Sequence, residues 1–377
     1  MKQHYNIPVF IPHLGCPFQC IFCNQNKIAS NQGIPTRADL ITTIDEHLST
    51  IRTSGDNIEL AFFGGSFTAI DRKLQEEYLS IVKPYLKNGQ IGSIRISTRP
   101  DYIDGEILDF LTSYGVKTIE LGVQSFSDEV LKASGRGYSC GDVLKASRLI
   151  KNSGIKLGIQ LMIGLPGDNH ALDMESTRQA ITLVPDMVRI YPTLVIAETP
   201  LEILFEQNKY LPLSLSNAIT TCKEMFLQFQ QHDITVIRMG LHPGEELLSP
   251  GAIIAGPFHP AFGELVEQEV FKEQSYMLIR KYKEKFKSDS DLTLLVHEKD
   301  ISKTIGHQKN NLLYLKSHFQ TRDIKVKAYP AYERDTVGLA VGIESEPLFT
   351  LNRKEFINFR SGEPDLLSLD GNWPFLM

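Results

Sequence analysis

The feature that most constrains the fold is an alternation of short β-branched or apolar runs with longer amphipathic stretches, from about residue 6 to residue 192. This alternation is typical of repeated βα units that build a parallel sheet. Six runs are predicted to be strands: Ile7–Ile11, Ile58–Phe63, Ile94–Thr98, Val116–Val123, Ile155–Ile163 and Met187–Tyr191. Helical patterns occupy the gaps, among them Leu40–Ile51, Lys73–Val82, Asp142–Lys151 and Thr177–Leu183. The sequence therefore predicts an α/β fold, a partial (βα)6 TIM-like barrel.

After the sixth strand, helices are predicted at 201–207 and 215–231 and a strand at 234–239. Beyond residue 251, helices are predicted at 262–286 and 310–315 and strands at 292–297, 324–328 and 337–343, which predicts a small C-terminal α+β appendage. The turn-forming segment Ser249-Pro250-Gly251 is the expected joint. We therefore expect two domains, residues 1–248 for the barrel and residues 249–377 for the appendage.

The charge balance of the chain limits its general partners. The 377 residues include 39 Lys and Arg against 45 Asp and Glu, a formal net charge of −6, which argues against general affinity for nucleic acid. A local excess of basic residues lies between residues 271 and 330, where the run Arg280–Lys285 has the pattern of an exposed, solvated helix face. No apolar run reaches the ~18 residues of a membrane span, and the first residues have no signal-peptide core. A soluble, cytoplasmic protein with no membrane segment is predicted.

Strand alternation predicts which side chains face the inside of the barrel. In the fourth strand, Glu120 and Gln124 point away from the apolar face, since successive residues of a strand point to opposite faces. The same alternation places Ser97 and Arg99, and later Arg189 and Tyr191, on the inner side. Because barrels usually fill their interior with apolar side chains, these polar groups indicate a substrate cavity. A buried network in which the polar groups only satisfy one another is the alternative.

Three of the five cysteines, Cys16, Cys20 and Cys23, lie within eight residues directly after the first predicted strand. An odd, clustered set is unlike the even, spread cysteines of a disulfide framework. Such a loop can wrap three thiolates around one corner of a 4Fe-4S cluster, and three ligands for four irons leave one iron open. Structural zinc with His13 as the fourth ligand is the competing interpretation. No other cysteine cluster is found, so auxiliary clusters and sulfur insertion are not expected.

This cysteine spacing, with an aromatic residue before the last thiol, resembles the radical S-adenosylmethionine (SAM) superfamily. In that superfamily the open iron binds the methionine group of SAM, and reductive cleavage yields a 5′-deoxyadenosyl radical that abstracts hydrogen. The resemblance implies a radical SAM type of barrel, a 4Fe-4S cluster on the three cysteines, and SAM as the second cofactor. It also implies a set of SAM-binding residues near the strand ends: Gly64, Gly65, Ser66, Ser97, Arg99, Gln124, Arg136, Gly164, Leu165 and Pro166.

A longer resemblance, from about Pro8 to Val266, is to the catalytic subunit of the elongator complex. That family modifies carbon 5 of the wobble uridine in tRNA with a radical SAM domain and an acetyltransferase domain. The strings that carry the resemblance are Glu120–Ser125, Gly164–Gly167, Ile190–Ile196 and Ile237–Leu241. The residues after Val266 are too few and wrongly patterned for an acetyltransferase domain. The resemblance therefore implies the radical half of the chemistry, without the acetyl half.

The candidate catalytic residues are Glu120 and Tyr191, which are both predicted to face the cavity, where Tyr191 would donate a hydrogen atom or stack on a base. The resemblance implies tRNA as substrate and a reductant protein such as flavodoxin or ferredoxin. Cations of the C-terminal region are candidates to contact tRNA phosphates: Lys303, Lys309, Lys316, Arg322, Lys325 and Lys327. Two alternatives stay open: radical SAM oxidation or alkylation of a small metabolite such as a porphyrin precursor, and a non-catalytic iron-sulfur sensor or electron carrier.

Overall fold

A computed structural model of the chain describes residues 4–11, 16, 20–24, 33–241, 245–288, 290–342 and 346–362. The chain divides into two compact units, residues 1–214 with 234–260 and residues 215–233 with 261–377. The boundaries of these units differ from those of the expected domains, 1–248 and 249–377. That each expected domain folds independently stays a prediction.

The described residues contain strands and helices of ordinary length. The strands are β1 Tyr5–Ile11, β2 Ile58–Gly64, β3 Ser93–Thr98, β4 Val116–Gln124, β5 Lys156–Ile163, β6 Met187–Pro192, β7 Val195–Ile196, β8 Thr235–Met239, β9 Ile253–Ala255, β10 Leu292–Val296, β11 Ile324–Ala328, β12 Thr336–Val341 and β13 Phe349–Asn352. The helices are α1 Arg37–Thr50, α2 Arg72–Lys87, α3 Gly105–Ser113, α4 Asp128–Ala133, α5 Cys140–Asn152, α6 His170–Thr182, α7 Pro200–Glu206, α8 Leu215–Gln231, α9 Glu245–Leu248, α10 Phe262–Phe286, α11 Ile301–Ile305, α12 Asn310–Phe319 and α13 Arg353–Gly362.

The first unit is built on a seven-stranded parallel sheet in the order β1-β2-β3-β4-β5-β6-β8. Helices connect successive strands, which is the α/β half-barrel that the sequence predicts. All six predicted barrel strands are confirmed, and the run predicted at 234–239 joins the same sheet as β8. The carboxyl ends of its parallel strands therefore lie along one edge, where the candidate residues are concentrated.

A helix cap and the burial of a central strand illustrate how the sequence forms the elements of this unit. Helix α5 starts at a capping box, in which Ser139 and Asp142 satisfy each other's backbone N–H groups. Strand β4 buries Ile119, Leu121 and Val123 completely. Its Glu120 is also buried, because both faces of a parallel sheet are covered. A charged side chain on the inner face must then find a partner inside the protein.

The second unit holds a four-stranded mixed sheet in the order β11-β10-β12-β13, in which β10 is buried along its whole length. Helices α8 and α10 of this unit pack together and carry a buried ion pair between Lys223 and Glu273. The predicted helices 215–231 and 262–286 are confirmed with the same bounds, whereas α12 continues to Phe319, beyond the predicted end at Leu315. Strand β13 and helix α13 are not among the predicted elements. Among the described residues, no helix is long and apolar enough to cross a membrane.

Candidate functional site

The cysteine loop follows β1 and is tied to the segment after α4. Cys20 is buried, and Cys16 and Cys23 are half-buried. The backbone N–H of Cys23 donates to the carbonyl of Cys20 at 3.0 Å, and the N–H of Ile21 donates to the carbonyl of Ser134 at 3.2 Å. His13, the fourth ligand of the zinc alternative, lies outside the described residues. The described part of the loop is therefore attached to the barrel beyond β4.

The Arg136 side chain connects this loop to the end of β4. Its guanidinium donates to the sulfur of Cys20 at 2.9 Å, to the carbonyl of Gly122 at 2.8 Å and to the hydroxyl of Tyr138 at 2.8 Å. Burial by itself lowers the pKa of Arg136, but Tyr138 and Cys20 raise it above its usual value, so the side chain stays a cation. A buried cation thus faces the sulfur of one cysteine.

These donors fit an iron-sulfur cluster. Thiolates are the usual ligands of such clusters, and N–H groups that donate to the sulfurs help to set their potential. Arg136 supplies such a donor to Cys20. Within the described part of the chain, no three His, Cys, Asp or Glu side chains converge on a point that would hold one metal ion. In a cubic cluster each cysteine ligates a different iron, so its ligands do not need to converge in that way.

Arg99 belongs to the same group of side chains. It forms two hydrogen bonds of 2.9 Å with the carboxylate of Asp101, and it donates to the backbone carbonyl of Arg136 at 2.6 Å. Its guanidinium carbon lies 5.0 Å from the centre of the Tyr138 ring. Two buried cations, Arg99 and Arg136, therefore lie close to the Tyr138 ring at the edge where β3 and β4 end.

A ladder of alternating charges crosses the inner face of the sheet. On β2 and β3, Glu59 accepts a hydrogen bond of 2.6 Å from Arg95. Arg95 also donates to Glu120 on β4. Glu120 in turn accepts from Arg189 on β6 at 2.6 and 3.1 Å. Both oxygens of Glu120 are thus occupied by guanidinium groups, and Glu120 and Arg189 share one face of the sheet.

Tyr191 lies at the end of this ladder. It is half-buried, and its hydroxyl is 3.4 Å from a guanidinium nitrogen of Arg189. Arg189 also lies over the ring of Phe63, with 5.5 Å between the guanidinium carbon and the ring centre. The orientation of Tyr191 is therefore coupled to Glu120 through Arg189.

The glycine turn after β2 approaches β1 closely. Gly64 has a φ of +99°, and a Cβ at this position would lie 2.9 Å from the carbonyl oxygen of Ile11. The N–H of Gly65 donates to the same oxygen at 2.7 Å. Ser66 is buried. Only a residue without a side chain fits at position 64, which brings the turn to the strand that precedes the cysteine loop.

The other predicted SAM-binding residues lie at neighbouring strand ends. Ser97 is half-buried on β3, and Gln124 ends β4 with a left-handed φ of 68°, 3.4 Å from the Gln160 amide. After β5, Gly164 has a φ of +73°, and its carbonyl accepts a hydrogen bond of 2.6 Å from Tyr210. Leu165 is buried and Pro166 is half-buried. The structure thus groups Arg99 with Arg136, and it ties the turn after β5 to Tyr210.

Two acids follow this turn and interact with each other. Asp173, in the first turn of α6, is buried, and it shares a side-chain hydrogen bond with Asp168. Burial raises the pKa of Asp173 well above its usual value, and the neighbouring Asp168 carboxyl raises it further. One proton is therefore held between the two carboxyl groups.

The expected basic region lies in the second unit, and its cations are partly paired. Lys303 forms an ion pair with Glu267. Lys316 and Lys325 lie 3.7 and 4.0 Å from Asp323, and Arg322 lies 3.9 Å from Asp291. Lys309 is exposed and has a left-handed φ of 65°. The exposed cations of this set, whose carboxylate partners lie 3.7–4.0 Å away, are accessible to an anionic ligand such as a phosphate.

Sequence reasoning missed Arg95, Asp101 and Tyr138. Arg95 has the same strand alternation as Ser97 and Arg99, so the pattern already contained its inward orientation. Tyr138 and Asp101 lie in connecting segments, where no periodicity indicates direction. A cavity of about 390 Å³ opens beside Tyr138, lined by Asp128, Lys132, Gly135, Gly137, Tyr138 and Ser139. None of the predicted site residues lines it.

Two family models match the chain: Radical SAM superfamily over residues 10–177, and Radical_SAM C-terminal domain over residues 185–272. Among curated proteins, a tRNA uridine(34) acetyltransferase of Methanocaldococcus infernus is 31% identical, and the match covers 54% of this chain and 46% of that protein. Elongator complex protein 3 of Homo sapiens is 27% identical, with 46% of this chain and 36% of that protein covered. The chain thus spans about half the length, or less, of these relatives.

Among solved structures, the archaeal Methanocaldococcus infernus Elp3 with an N-terminal deletion has a similar fold. The TM-score is 0.55 at 23% sequence identity, and the match covers 73% of this chain and 64% of that chain. At this identity the similarity concerns the fold.

Proposed function

The chain belongs to the radical SAM superfamily, and we propose that it is an enzyme that cleaves S-adenosylmethionine reductively and modifies a wobble uridine of tRNA. The observation that carries the proposal is the hydrogen bond from the buried Arg136 to the sulfur of Cys20. The same guanidinium donates to Gly122, so it joins the cysteine loop to the edge at which barrel enzymes bind their ligands. The name of the Methanocaldococcus infernus relative, a tRNA uridine(34) acetyltransferase, supports the choice of substrate.

In this proposal Cys16, Cys20 and Cys23 hold a 4Fe-4S cluster. When bound, such a cluster supplies the electron that splits SAM into methionine and a 5′-deoxyadenosyl radical, which takes one hydrogen atom from the substrate. An external reductant, a protein such as flavodoxin or ferredoxin, provides that electron. Arg136 orients the Cys20 sulfur and offsets its negative charge, and its own burial keeps water away from that side of the sulfur.

The SAM site is proposed at the strand ends, on the backbone of the glycine turn and on the side chains near it. SAM can approach the backbone of the turn at Gly64 and Gly65 closely, because neither residue has a side chain. A side chain at position 64 would also collide with the carbonyl oxygen of Ile11. Arg99 and Arg136 contribute positive charge that attracts the SAM carboxylate. The remaining members of the proposed site are Ser66, Ser97, Gln124, Gly164, Leu165 and Pro166.

Glu120 and Tyr191 are proposed to act as a pair with different roles. Because two guanidinium groups occupy both oxygens of Glu120, we assign it as a positioning residue that holds Arg189. Arg189 in turn lies within 3.4 Å of the Tyr191 hydroxyl. Tyr191 is the group of this pair that is proposed to face the substrate, as a hydrogen donor or as a ring that stacks on a base.

The test measures 5′-deoxyadenosine formed from SAM by the anaerobically reconstituted, reduced protein, with and without unmodified tRNA. The expected result is cleavage that tRNA stimulates, together with a modified nucleoside in the digested tRNA. Cys20→Ala should abolish both, because one cluster ligand is lost. Tyr191→Phe should leave the iron content unchanged and lower the yield of modified nucleoside, and full turnover in that variant would reject its role.

Each remaining outcome favours one of the alternatives. Cleavage that is indifferent to tRNA would reject the tRNA assignment and favour a small-metabolite substrate. An absence of cleavage with and without tRNA, at full iron content, would reject the enzyme and favour an iron-sulfur sensor. Salt dependence is a further check, since phosphate contacts make tRNA affinity fall steeply as salt rises, and a flat response would contradict binding through the basic region.

A further inference from the structure

An exposed apolar cluster lies in the second unit, where the last turn of α10 meets the start of β13. Phe286 is 46% exposed, although it is a large apolar residue. The ring of Phe349, half-buried, lies 6.4 Å from that of Phe286. The two rings are far apart in the sequence, so only folding brings them together. An exposed apolar cluster that the fold does not cover marks a contact site when other features agree.

Two lysines of α10 lie against these rings. The ammonium of Lys281 is 5.0 Å from the centre of the Phe349 ring. That of Lys285 is 5.3 Å from the Phe286 ring and 5.7 Å from the Phe349 ring. Among the residues that the structure describes, neither lysine has a carboxylate within 4.0 Å. We name Lys281, Lys285, Phe286 and Phe349 the lysine-phenylalanine patch.

The charge around the patch is strongly positive. The stretch from Arg280 to Lys287 contains five basic residues and one acid, Glu284, although the whole chain has a net charge of −6. The carboxylate of Glu284 lies 2.9 Å from Arg280, a cation outside the patch, so it pairs with Arg280 and not with the patch lysines. A solvated helix face, which the sequence alone suggests for this run, would extend its lysines into water instead of over rings.

We propose that the lysine-phenylalanine patch binds an unpaired segment of RNA. Proteins that bind single strands combine cations that follow the phosphates with aromatic rings on which bases stack, and the patch offers both. The inference rests on the proposed function, because the wobble position of tRNA lies in an unpaired loop. A lipid surface is disfavoured because α10 buries most of its apolar residues, such as Val270, Phe271 and Ile279, and Phe286 is the one large apolar side chain of this helix that is exposed.

The experiment measures binding of a fluorescently labelled, unmodified tRNA transcript to the full-length protein by anisotropy. Phe286→Leu removes the ring and keeps an apolar side chain, whereas Phe286→Trp keeps a ring. Loss of one stacked base should weaken binding about fivefold to tenfold in the leucine variant, while the tryptophan variant should bind as the wild type does. Equal binding of all three proteins would overturn the stacking role.

The lysines are tested by the double variant Lys281→Gln and Lys285→Gln. If both contact phosphates, the slope of log affinity against log salt should decrease by about 1.4, from roughly 0.7 for each contact to a single strand. An unchanged slope would overturn the proposal. Substitutions at these exposed positions remove no core contact, so the folded state should persist, which circular dichroism will verify.

Matched controls come from the same unit. Phe359, which is 56% exposed on α13, and Lys354, which is 82% exposed, lie outside the patch. Phe359→Leu and Lys354→Gln should leave both the affinity and the salt slope unchanged. If the control variants weaken binding as much as the patch variants do, the effect is general surface charge or apolarity, and the patch is not the site.

Two further measurements complete the test. The first distinguishes RNA binding from lipid binding, and the second distinguishes a failure of the patch assignment from a failure of the proposed function. Sedimentation with vesicles of equal parts phosphatidylserine and phosphatidylcholine should show no binding that depends on the patch, and such binding without an RNA effect would replace RNA by a lipid surface. The 5′-deoxyadenosine assay separates this inference from the proposed function. If tRNA stimulates wild-type cleavage while patch variants bind tRNA normally, only the patch assignment fails; if tRNA does not stimulate the wild type, the proposed function fails.

Discussion

At the scale of single residues, the inner face of the barrel is governed by the cost of burying charge. Arg136 and Arg95 are both buried, and each one donates to several acceptors. A buried charge that loses a partner costs about 3–5 kcal/mol, because the remaining group is neither solvated nor paired. Such side chains therefore have defined positions, which a site for a charged cofactor requires.

The buried acid pair predicts a pH dependence of stability. The pKa of Asp173 is raised in the folded state from the usual 3.8, so the folded protein retains a proton that the unfolded chain loses. The contribution of Asp173 to the free energy of unfolding should therefore fall as pH rises from about 4 through neutrality. Asp173→Asn has no proton to lose, and its amide can still donate to Asp168. The variant should be more stable than the wild type by about 1–3 kcal/mol at about pH 8, with a smaller difference at about pH 5.

Urea unfolding followed by circular dichroism at several pH values checks this expectation. Asp109→Asn is the matched control, because Asp109 is exposed on α3. If the stability difference between Asp173→Asn and the wild type does not change with pH, or if Asp173→Asn is the less stable protein at the higher pH, the two acids do not share a proton.

At the scale of elements, the half-barrel depends on close contacts between neighbouring strand ends. The carbonyl of Ile11 at the end of β1 accepts from Gly65, while Gly64 passes beside it in a left-handed conformation. Since the cysteine loop begins directly after Ile11, the glycine turn after β2 also determines where that loop starts. The need for glycine at position 64, at the end of β2, thus affects the position of the candidate cluster site.

Gly64→Ala should destabilise the protein by about 1–3 kcal/mol, because a left-handed conformation and a Cβ contact with backbone both add strain. Gly105→Ala is the matched control, since Gly105 begins α3 and a Cβ there meets nothing within 4 Å. That substitution should be neutral or should stabilise by up to ~1 kcal/mol through helix propensity. Denaturant midpoints of the two variants give the comparison, and equal midpoints would contradict the role of the turn.

At the scale of the whole molecule, each of the two compact units is built from two separate stretches of the chain. Helix α8 lies in sequence between β6 and β8 of the parallel sheet, yet it belongs to the second unit with α10. Its buried side chains include Cys222, Met225, Phe226 and Phe229. Each large apolar side chain of this kind contributes about 1.5–3 kcal/mol when it is buried, so α8 depends on residues after 261.

A fragment of residues 1–248, which matches the expected first domain, should therefore expose the apolar face of α8. We expect it to bind the dye ANS and to aggregate. A fragment of residues 1–260 in which 215–233 is replaced by a flexible Gly-Ser segment of equal length should stay monomeric, as size-exclusion chromatography will show. If the fragment 1–248 is monomeric and cooperatively folded with its native α8, the expected boundary at residue 248 is correct.

The sequence by itself determined that the first six strands belong to parallel βα units and that the three clustered cysteines follow the first strand. Strand alternation and helix periodicity depend on neighbouring residues, so short windows contain the information. The spacing of Cys16, Cys20 and Cys23 is likewise local. Among the elements that sequence reasoning missed, β7, β9 and β13 have two to four residues, and α13 lies near the end of the described chain. Tertiary packing rather than a strong local pattern defines them.

Only the tertiary structure decided which side chains meet. The hydrogen bond between Arg136 and Cys20 joins residues 116 positions apart. Glu120 and Arg189 are 69 positions apart, and strand alternation places both on the inner side but does not pair them. The lysine-phenylalanine patch depends in the same way on β13 lying beside α10. The physical reason is that local hydrogen bonding and alternation select the elements, whereas burial and charge pairing between distant segments select the contacts that the chemistry requires.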